Sequence, residues 1–592
     1  MEAGVDRRGA FLVLALVLLI RLPFLHQAAG GDDDIYLTEA AHAQIEPLHP
    51  SHAPYVFRGE TVDLRGHPHP PLDAWTLAAL IAVFGGLREA PFHAAYIGFS
   101  LIAAASMWSL AKRFSPHPLW ATLLFIAVPP FVVNGNTLEA DLPFLACWMA
   151  AIALFCSGRL LFSALAMALA AMAAYQAIVL TPILAVYVWL FRRGDRRAWL
   201  ATCTAPAVVA AWQLFERAST GAMPAAVLAG YLPTFETLLA KLRTVLALSI
   251  HTCFLIFPVL FVIAVVQAWR RRREPETAFL LAWIAIFLLA AFAIFFDGPA
   301  RYLLPIAAPL ALLAAHIAAT NRGRTLLAGA FVLQFALALG LAAVNYSQWN
   351  AYRQFAATLP WPAYPGRVWV NGEWGLRTYL EARGALPLQQ STHLHPGDVV
   401  VSSALGAAVA VNAPVTPAAA LEIRPAVPLR LIGLESRSGY STSSRGLWPF
   451  GISSGPIDRI TAVLVGERHP TLEYLTLKDP AAAAHVVSGV SLSDGWIGAS
   501  AVLALKNPAQ PRPLTATIYI PENAPARSVK LLLDGREVAS QTFAAPGLHT
   551  IASAPVRAAG AVATVAIDVD KTFRAPPDTR ALGVVLVEAG FR

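Results

Sequence analysis

Residues 7–36 read RRGAFLVLALVLLIRLPFLHQAAGGDDDIY, and this stretch decides how the chain is organised. Two arginines come first, an apolar run follows from Ala10 to His26, and an acidic run ends the stretch. An apolar run approaching the roughly 20 residues needed to cross a bilayer predicts a membrane-spanning helix. The arginines before it place the N-terminus in the cytoplasm. A cleaved signal peptide is the alternative, but the apolar run is long for one and no small-x-small site directly follows it.

The composition of the whole chain extends this prediction to an integral membrane protein. Of the 592 residues, 57% are hydrophobic and only 14% are charged, whereas soluble domains carry about 25% charged residues. This composition excludes a disordered chain, which would be rich in charge. The net charge of +8 is not gathered into a basic patch with aromatic residues, so nucleic acid is not an expected partner. The four cysteines lie in apolar stretches and have no zinc-site or disulfide-framework spacing.

Apolar runs alternate with short basic clusters up to residue 345, and we predict about eleven membrane spans in this first domain. The predicted spans are residues 10–27, 93–111, 118–134, 142–158, 160–175, 177–191, 197–215, 246–269, 277–296, 302–319 and 325–345. Residues 71–87 are apolar but short, and are expected to form an interfacial helix in a first outer loop over residues 28–92. The odd number of spans puts the C-terminal part outside. A bacterial cytoplasmic (inner) membrane is the expected location.

The pattern changes after residue 345 to that of an extracytoplasmic domain. Residues 346–485 are expected to hold a small α/β unit and an irregular region, with strands at 367–372 and 398–402 and a helix at 376–383. Residues 403–460 carry no assignable pattern. From residue 486 to 592, short alternating runs separated by turn residues predict a β-sandwich. The predicted fold class is therefore a polytopic α-helical membrane protein with a C-terminal α/β plus β-sandwich domain.

Acidic residues gather at the predicted outer ends of the spans. Asp32, Asp33 and Asp34 are adjacent in the first outer loop, and Glu139 and Asp141 lie between two spans. Adjacent carboxylates repel one another, so at least one is expected to have a raised pKa or a cationic partner. Such a group suits a general base or a site for a divalent cation. A solvated acidic loop is the alternative.

Histidines and arginines on the same predicted face could contact a phosphate. His67 and His69 are separated by one residue on a proline-rich stretch, so they project to the same side. Metal binding and a structural turn are the alternatives there. Arg58 precedes them in the same loop, and Arg301, followed by Tyr302, lies at the outer end of a later span. A guanidinium can hold a phosphate with two parallel hydrogen bonds, although snorkelling or an ion pair with Asp297 would also explain Arg301.

The order of these elements resembles the integral-membrane glycosyltransferases of the GT-C fold, in particular the protein O-mannosyltransferase and aminoarabinose-transferase group. That family begins with a span and an acidic pair followed by an aromatic residue, matched within residues 32–36. A Lys/His-Pro-Pro element then leads an interfacial helix, matched at residues 69–71. Asp141 matches an acidic residue after the third span, and residues 301–305 match an Arg-Tyr-x-x-Pro element. The resemblance covers residues 8–320.

This resemblance implies an inverting transfer of a sugar from a polyprenyl-phosphate donor lipid to an acceptor outside the membrane. The acceptor is unknown and could be a glycan, a lipid or a protein. The implied base is Asp32 or Asp33, with Asp33 preferred, and Asp34 completes the acidic run. The residues expected to bind substrate are Arg58, His67, His69, Glu139, Asp141, Gln176, Arg301 and Tyr302. Relatives often carry lysine near the position of Gln176, so this chain departs from them in its donor-phosphate contacts.

A transporter or flippase of a lipid-linked sugar is the alternative function. It would place polar groups at mid-membrane and broken helices in both halves of the chain, whereas here the acids lie at the outer ends of the spans. A non-catalytic receptor is a second alternative, but it gives no reason for the clustered acids. No cofactor is implied beyond a divalent cation at Asp32, Asp33 and Asp34.

Overall fold

The computed structural model describes residues 2–231, 237–295, 297–522, 524, 526–575 and 578–592. The helices are α1 Glu2–Arg21, α2 Asp33–His42, α3 Leu72–Phe84, α4 Glu89–Phe114, α5 Pro118–Ile126, α6 Pro129–Asn134, α7 Asp141–Cys156, α8 Leu160–Ala173, α9 Leu180–Phe191, α10 Arg196–Ala201, α11 Thr204–Thr220, α12 Pro224–Tyr231, α13 Leu238–Leu255, α14 Pro258–Arg270, α15 Pro275–Ile294, α16 Leu304–Ala315, α17 Asn321–Thr358 and α18 Gly375–Glu381.

The strands begin in the first outer loop and otherwise lie in the C-terminal part. They are β1 Pro54–Phe57, β2 Glu60–Asp63, β3 Val368–Asn371, β4 Leu386–Pro387, β5 Val399–Ser403, β6 Val415–Ile423, β7 Leu429–Arg430, β8 Gly451–Ile452, β9 Asp458–Val465, β10 Tyr474–Thr476, β11 Val486–Val490, β12 Trp496–Lys506, β13 Arg512–Ile520, β14 Arg527–Leu533, β15 Arg536–Phe543, β16 Gly547–Val556, β17 Val562–Val569, β18 Phe573–Ala575, β19 Asp578–Leu582 and β20 Val584–Phe591.

Six helical segments within the described residues are long and apolar enough to cross a membrane. They are Glu89–Phe114, Arg196–Thr220, Leu238–Leu255, Pro275–Ile294, Ala300–Ala319 and Asn321–Thr358. Shorter apolar helices are Leu72–Phe84, Asp141–Cys156, Leu160–Ala173, Tyr175–Phe191 and Pro258–Arg270. Every predicted span overlaps one of these segments, α1, or the pair α5 and α6. The polytopic helical fold class predicted from the sequence is confirmed.

Prolines divide two of the predicted spans. The span expected over 118–134 is two helices, α5 and α6, and the span expected over 246–269 is divided between α13 and α14. Pro129 and Pro258 each begin the second helix of the pair, because proline lacks the N–H that a continuing helix would need. The predicted break near residues 175–176 is confirmed by a 3-10 turn at Tyr175–Val179.

The helices bury one apolar core and leave large apolar side chains outside. Trp148 and Trp283 are fully buried in this core. On the opposite faces, Phe11, Leu161 and Leu200 are 75%, 80% and 77% exposed. An apolar surface of this extent is costly in water and suits contact with lipid tails.

Helix α3 lies within the first outer loop, where a short apolar helix was predicted. It packs on α2 through a small core that includes Tyr36, Leu77 and Tyr96. It ends at Gly85, whose φ of 69° lies in the left-handed region that glycine adopts easily. The helix is confirmed, and its position along the membrane interface stays a prediction.

Helix α17 joins the membrane helices to the C-terminal part. It continues to Thr358, past the predicted end of the last span at residue 345. Its final turns pack against a sheet with the order β4-β3-β5-β9-β6, in which β3 and β5 are parallel. The predicted α/β unit is confirmed, and the stretch 403–460, which had no assignable pattern, supplies β6 to this sheet.

The last part of the chain is a large antiparallel sheet around its own apolar core, beside which β18 and β19 pair as a separate two-stranded sheet. Its nine strands follow the order β15-β14-β17-β12-β20-β13-β16, with β10 and β11 added at the side. The strands predicted near 515–520, 529–533, 562–569 and 583–587 are all present as β13, β14, β17 and β20. A C-terminal β domain is confirmed, and its strands form one nearly closed sheet where a β-sandwich was predicted.

Asp458 of β9 connects α17 to the sheet β4-β3-β5-β9-β6 through hydrogen bonds. Its side chain is fully buried, and it accepts hydrogen bonds from the hydroxyl groups of Tyr352 and Ser403 at 2.8 and 2.6 Å and from the N–H of Leu405 at 2.9 Å. The N–H of Arg459 also donates to it at 2.8 Å, so four donors, one of them on α17, depend on one carboxylate.

We expect Asp458→Ala to lower the unfolding free energy by about 2–5 kcal/mol, because the buried donors lose their acceptor. Thermal unfolding of the purified protein in detergent measures the loss. The exposed Glu467 provides the control, since Glu467→Ala should change stability by less than about 0.5 kcal/mol. Equal melting temperatures for the two variants would contradict this role of Asp458.

Candidate active site

Two glycines bring the acidic run against the rest of the protein. A Cβ at Gly30 would lie 2.1 Å from the Trp349 ring of α17, so only glycine fits there. Gly31 has φ +57°, and a Cβ on it would lie 2.3 Å from an oxygen of Glu139. The chain can therefore turn into α2 directly beside Glu139.

Asp33 is a buried structural residue. It is 0% exposed, and its two oxygens accept hydrogen bonds from the N–H groups of Gly30 at 2.9 Å and Leu138 at 2.8 Å. Burial, and next the charge of Glu139, raises the pKa of Asp33 well above its usual range. The preference for Asp33 as the base does not fit this geometry, because both oxygens already bind backbone groups away from solvent.

Asp34 is also buried, with 6% of its surface exposed. The Tyr55 hydroxyl donates to its Oδ2 at 2.6 Å, which ties α2 to β1. Burial raises the pKa of Asp34 to about 8, although the Tyr55 hydrogen bond and the charge of Arg377 act in the opposite direction. Asp34 is thus expected to stay protonated at neutral pH and to support the loop.

Asp32 is the member of the run that a substrate can reach. Its side chain is 37% exposed, and its Oδ2 accepts a hydrogen bond from Arg301 Nη2 at 2.8 Å. The three aspartates of the run therefore have three different partners, because successive residues entering a helix point in different directions. The cation site expected at Asp32, Asp33 and Asp34 does not form among the described residues.

Arg301 forms ion pairs with acids of two separate loops, the loop that contains Asp32 and the loop that contains Glu139 and Asp141. Besides Asp32, its guanidinium reaches Asp141 through Nε at 3.0 Å and Glu139 at 3.6 Å. Its side chain is only 14% exposed, and the ring of Tyr302 lies 5.5 Å from its Cζ atom. Asp32, Glu139, Asp141, Arg301 and Tyr302 were all predicted from the sequence as site residues. The fold brings them together although Asp32 and Arg301 are 269 positions apart. We call Asp32, Glu139, Asp141 and Arg301 the carboxylate–arginine cluster.

The cluster holds more negative charge than Arg301 can balance. Burial raises the pKa of Glu139 to about 8, with the charge of Arg301 opposing the shift and those of Asp141 and Asp32 adding to it. Glu139 also accepts the backbone N–H of Asp32 at 3.0 Å. Glu139 is therefore expected to hold a proton beside the ion pair of Asp32 and Arg301.

The two predicted histidines flank Tyr36 on one side of the site. Their rings lie 4.9 Å (His67) and 5.7 Å (His69) from the Tyr36 ring. His67 Nδ1 is 3.7 Å from Glu39, and His69 Nδ1 is 3.0 Å from the carbonyl oxygen of Ala173. Burial lowers the pKa of His69 well below its usual range, so it is neutral and does not supply the positive charge expected for a phosphate contact.

Gln176 lies in the 3-10 turn that follows Ala173. Its Oε1 is buried and finds no hydrogen-bond partner among the described residues. The turn therefore brings an unsatisfied amide oxygen to the helix break beside His69, and its part in substrate binding stays a prediction.

A loop of the C-terminal part contacts this site, and this contact was not predicted from the sequence. This loop, residues 433–450, lies in the stretch that had no assignable pattern. The backbone carbonyl of Tyr440 accepts a hydrogen bond from the N–H of Ala300 at 2.8 Å. The Tyr440 hydroxyl donates to Asn134, beside Glu139, and Thr442 Oγ1 donates to Asp297 at 2.6 Å. The run of Ser, Thr, Gly and Arg at 436–446 was the available signal.

The same loop supplies Arg445, a second cation near Arg58. Arg58 is exposed, and its backbone N–H, at φ +51°, donates to Glu373 at 2.7 Å. Arg445 donates to the carbonyl of Leu405 at 2.9 Å. Burial, and next the charge of Arg58, lowers the pKa of Arg445. Arg58 and Arg445 place two positive charges near each other, which suits an anionic ligand. Arg301 suits one less well, because its guanidinium already binds carboxylates.

No protein-family model and no curated protein sequence matches this chain. Solved structures do show similarity. ArnT from Cupriavidus metallidurans bound to undecaprenyl phosphate is 14% identical with a TM-score of 0.47, over 66% of this chain and 92% of that one. The mycobacterial arabinofuranosyltransferase AftD is 13% identical with a TM-score of 0.39, over 99% of this chain and 61% of that one.

The arabinosyltransferase EmbB from Mycobacterium smegmatis is 13% identical with a TM-score of 0.36, over 98% of this chain and 64% of that one. The TM-scores are below 0.5, and the likeness carries no activity, substrate or residue role to this chain.

The raised pKa of Asp34 predicts how stability changes with pH. Folded Asp34 keeps its proton up to about pH 8, whereas the unfolded residue loses it near its usual pKa of about 3.9. Between these values the folded state binds the extra proton, so stability falls as pH rises, by up to about 1.4 kcal/mol per pH unit. We expect Asp34→Asn to remove this contribution and to make the melting temperature fall less steeply between about pH 5 and pH 8.

The matched control is Asp63→Asn in the same loop. Despite partial burial, Arg65 lowers the pKa of Asp63, so this residue is ionised throughout the measured range. Its substitution should leave the slope of the wild type unchanged. A slope for Asp34→Asn equal to that of the wild type would contradict the assignment of a neutral, buried Asp34.

Proposed function

We propose that this chain is a membrane glycosyltransferase that moves a sugar from a polyprenyl-phosphate donor to an acceptor at the extracytoplasmic face. The observation that carries the proposal is Asp32, a half-exposed carboxylate held at 2.8 Å by Arg301 within a buried acidic cluster. A carboxylate that is fixed by a cation and still reached by solvent suits a general base. The sequence resemblance independently gives the same reaction.

In the proposed reaction, Asp32 accepts the proton of the acceptor hydroxyl. The acceptor oxygen forms a bond to the anomeric carbon of the sugar, and the bond from that carbon to the phosphate oxygen breaks with inversion. The electron pair leaves on the polyprenyl phosphate. Arg301 holds Oδ2 of Asp32, and no hydrogen bond from the described residues occupies Oδ1, which is the oxygen proposed to take the proton.

Arg58 and Arg445 are the proposed contacts of the donor phosphate. Negative charge develops on that phosphate as the sugar leaves, and fixed guanidinium groups stabilise it. Arg301 has a different proposed role, since its ion pairs with Asp32 and Asp141 orient the base. Glu139 and Asp141 would act through Arg301 as positioning residues.

We expect Asp32→Asn to reduce sugar transfer by about 100-fold or more, because asparagine has no basic oxygen to accept the proton. A deletion strain should accumulate the polyprenyl-phosphate sugar, and mass spectrometry of its lipids identifies the donor. Complementation with wild type should clear the accumulated lipid, whereas the Asp32→Asn variant should not. The variant should reach the membrane at the wild-type level.

Asp195→Asn is the matched control, since Asp195 caps α10 through its side chain and asparagine caps equally well. It should clear the donor lipid as the wild type does. Full activity of Asp32→Asn would overturn the assignment of the base. A deletion strain without any accumulated lipid-linked sugar would overturn the donor class.

A further inference from the structure

A second cluster of ionisable side chains lies outside the proposed reaction site. His49, His52 and Glu216 bring three potential ligand atoms within 4.8 Å of one another, the one such His/Cys/Asp/Glu group among the described residues. The two histidines belong to the first outer loop, and Glu216 lies near the end of α11. The proposed reaction uses none of these residues.

Local structure explains why the two histidines face the same way. A 3-10 turn spans Pro50–His52, and the N–H of His52 donates to the carbonyl of His49 at 3.1 Å. Side chains three residues apart are eclipsed in a 3-10 turn, so both imidazoles lie on one side. Their ring centroids are 4.9 Å apart, and His49 also stacks on Phe215 at 5.3 Å.

Glu216 needs a positive charge at this position. Its side chain is 0% exposed, and its two oxygens lie 3.1 Å from His49 Nδ1 and 3.4 Å from His52 Nε2. Glu216 Oε2 and His52 Nε2 are both buried without a hydrogen-bond partner among the described residues. A buried carboxylate is costly unless a cation compensates it, and either a proton on a histidine or a metal ion would do so.

The ligand set and its spacing favour a metal ion. Zinc binds imidazole nitrogen and carboxylate oxygen at about 2.0–2.2 Å in a tetrahedron, which sets neighbouring ligand atoms about 3.3 Å apart. The nitrogens of His49 and His52 lie 3.1 Å from Oε1 and 3.4 Å from Oε2 of Glu216, close to this spacing. All three potential ligand atoms lie within 4.8 Å of one another, so small side-chain shifts would place them around one ion. Calcium and magnesium prefer oxygen ligands alone, so two imidazoles argue against them.

We propose that His49, His52 and Glu216 form a zinc site that fastens the first outer loop to the membrane helix α11. Three protein ligands leave the fourth position to water, which an adjoining open cavity of about 580 Å³, lined by Ser51 and Ser219 among others, can supply. The site links segments that are 167 positions apart in sequence. It therefore restrains the loop that carries the acidic run.

Metal analysis of the full-length protein, purified in detergent, tests the proposal. After incubation with zinc and removal of unbound metal, we expect one zinc ion per chain in the wild type. His52→Ala should lose most of it. The matched control is His42→Ala, because His42 is a histidine of the same loop that pairs with Glu46 at 3.4 Å and lies outside the cluster. That variant should keep its zinc.

Two further measurements separate a bound metal from a proton. Cobalt(II) in place of zinc should give the visible absorption of a tetrahedral site in the wild type and in His42→Ala, but not in His52→Ala. Added zinc should also raise the melting temperature of the first two proteins, since a ligand that binds only the folded state stabilises it.

Wild-type protein without zinc above the detergent blank would overturn the proposal and leave a protonated histidine as the counter-charge. Equal zinc content in the wild type and in His52→Ala would overturn it as well. If His52→Ala fails to fold, the zinc content and cobalt spectrum of the wild type decide alone. None of these readouts depends on sugar transfer, so the proposed function stands or falls separately.

Discussion

The ion pairs of Arg301 are the interaction on which the rest of the site depends. One guanidinium, 14% exposed, lies within 4 Å of carboxylates from Asp32, Glu139 and Asp141. Burying several acids without a cation would be very costly, and removing one partner of such a group leaves uncompensated charge. Arg301 therefore fixes the positions of the loop that carries Asp32 and the loop that carries Glu139 relative to each other. It also leaves Asp32 as the accessible carboxylate of the group.

The C-terminal part takes part in this arrangement. Its loop 433–450 reaches Ala300 and Asn134, and Asp458 ties the same part to the last turns of α17. The loop places Arg445 near Arg58, and burial, together with the charge of Arg58, lowers the pKa of Arg445. The C-terminal part is thus packed on the membrane helices beside the carboxylate–arginine cluster, and its removal would expose the buried acids to water.

Much of the fold follows from sequence patterns alone. Apolar runs of about 20 residues mark the membrane helices because lipid tolerates only such segments, and alternating runs mark the strands. The breaks at Pro129 and Pro258 were not predicted, because single spans were expected there, although proline cannot continue a helix and was the available signal. The extension of α17 to Thr358 was not predicted either, because its last turns are held by packing against the C-terminal sheet.

The residues of the carboxylate–arginine cluster were predicted from the sequence, but the roles now proposed for them were not. Order along the chain indicated Asp32, Glu139, Asp141 and Arg301, yet the choice between Asp32 and Asp33 depends on which carboxylate the loop buries. Asp33 is buried against the backbone N–H of Leu138, more than 100 positions away, which is why the proposed base is Asp32. Arg445 and the cluster of His49, His52 and Glu216 depend on contacts between distant segments, which a local pattern does not reveal.

A cryo-EM structure of the protein with a bound polyprenyl phosphate tests the central claim most directly. We expect the phosphate within hydrogen-bond reach of Arg58 and Arg445, with Asp32 still paired to Arg301 and open toward the space beside the phosphate. A phosphate bound far from Asp32, or bound directly by Arg301 with its carboxylate pairs broken, would contradict it.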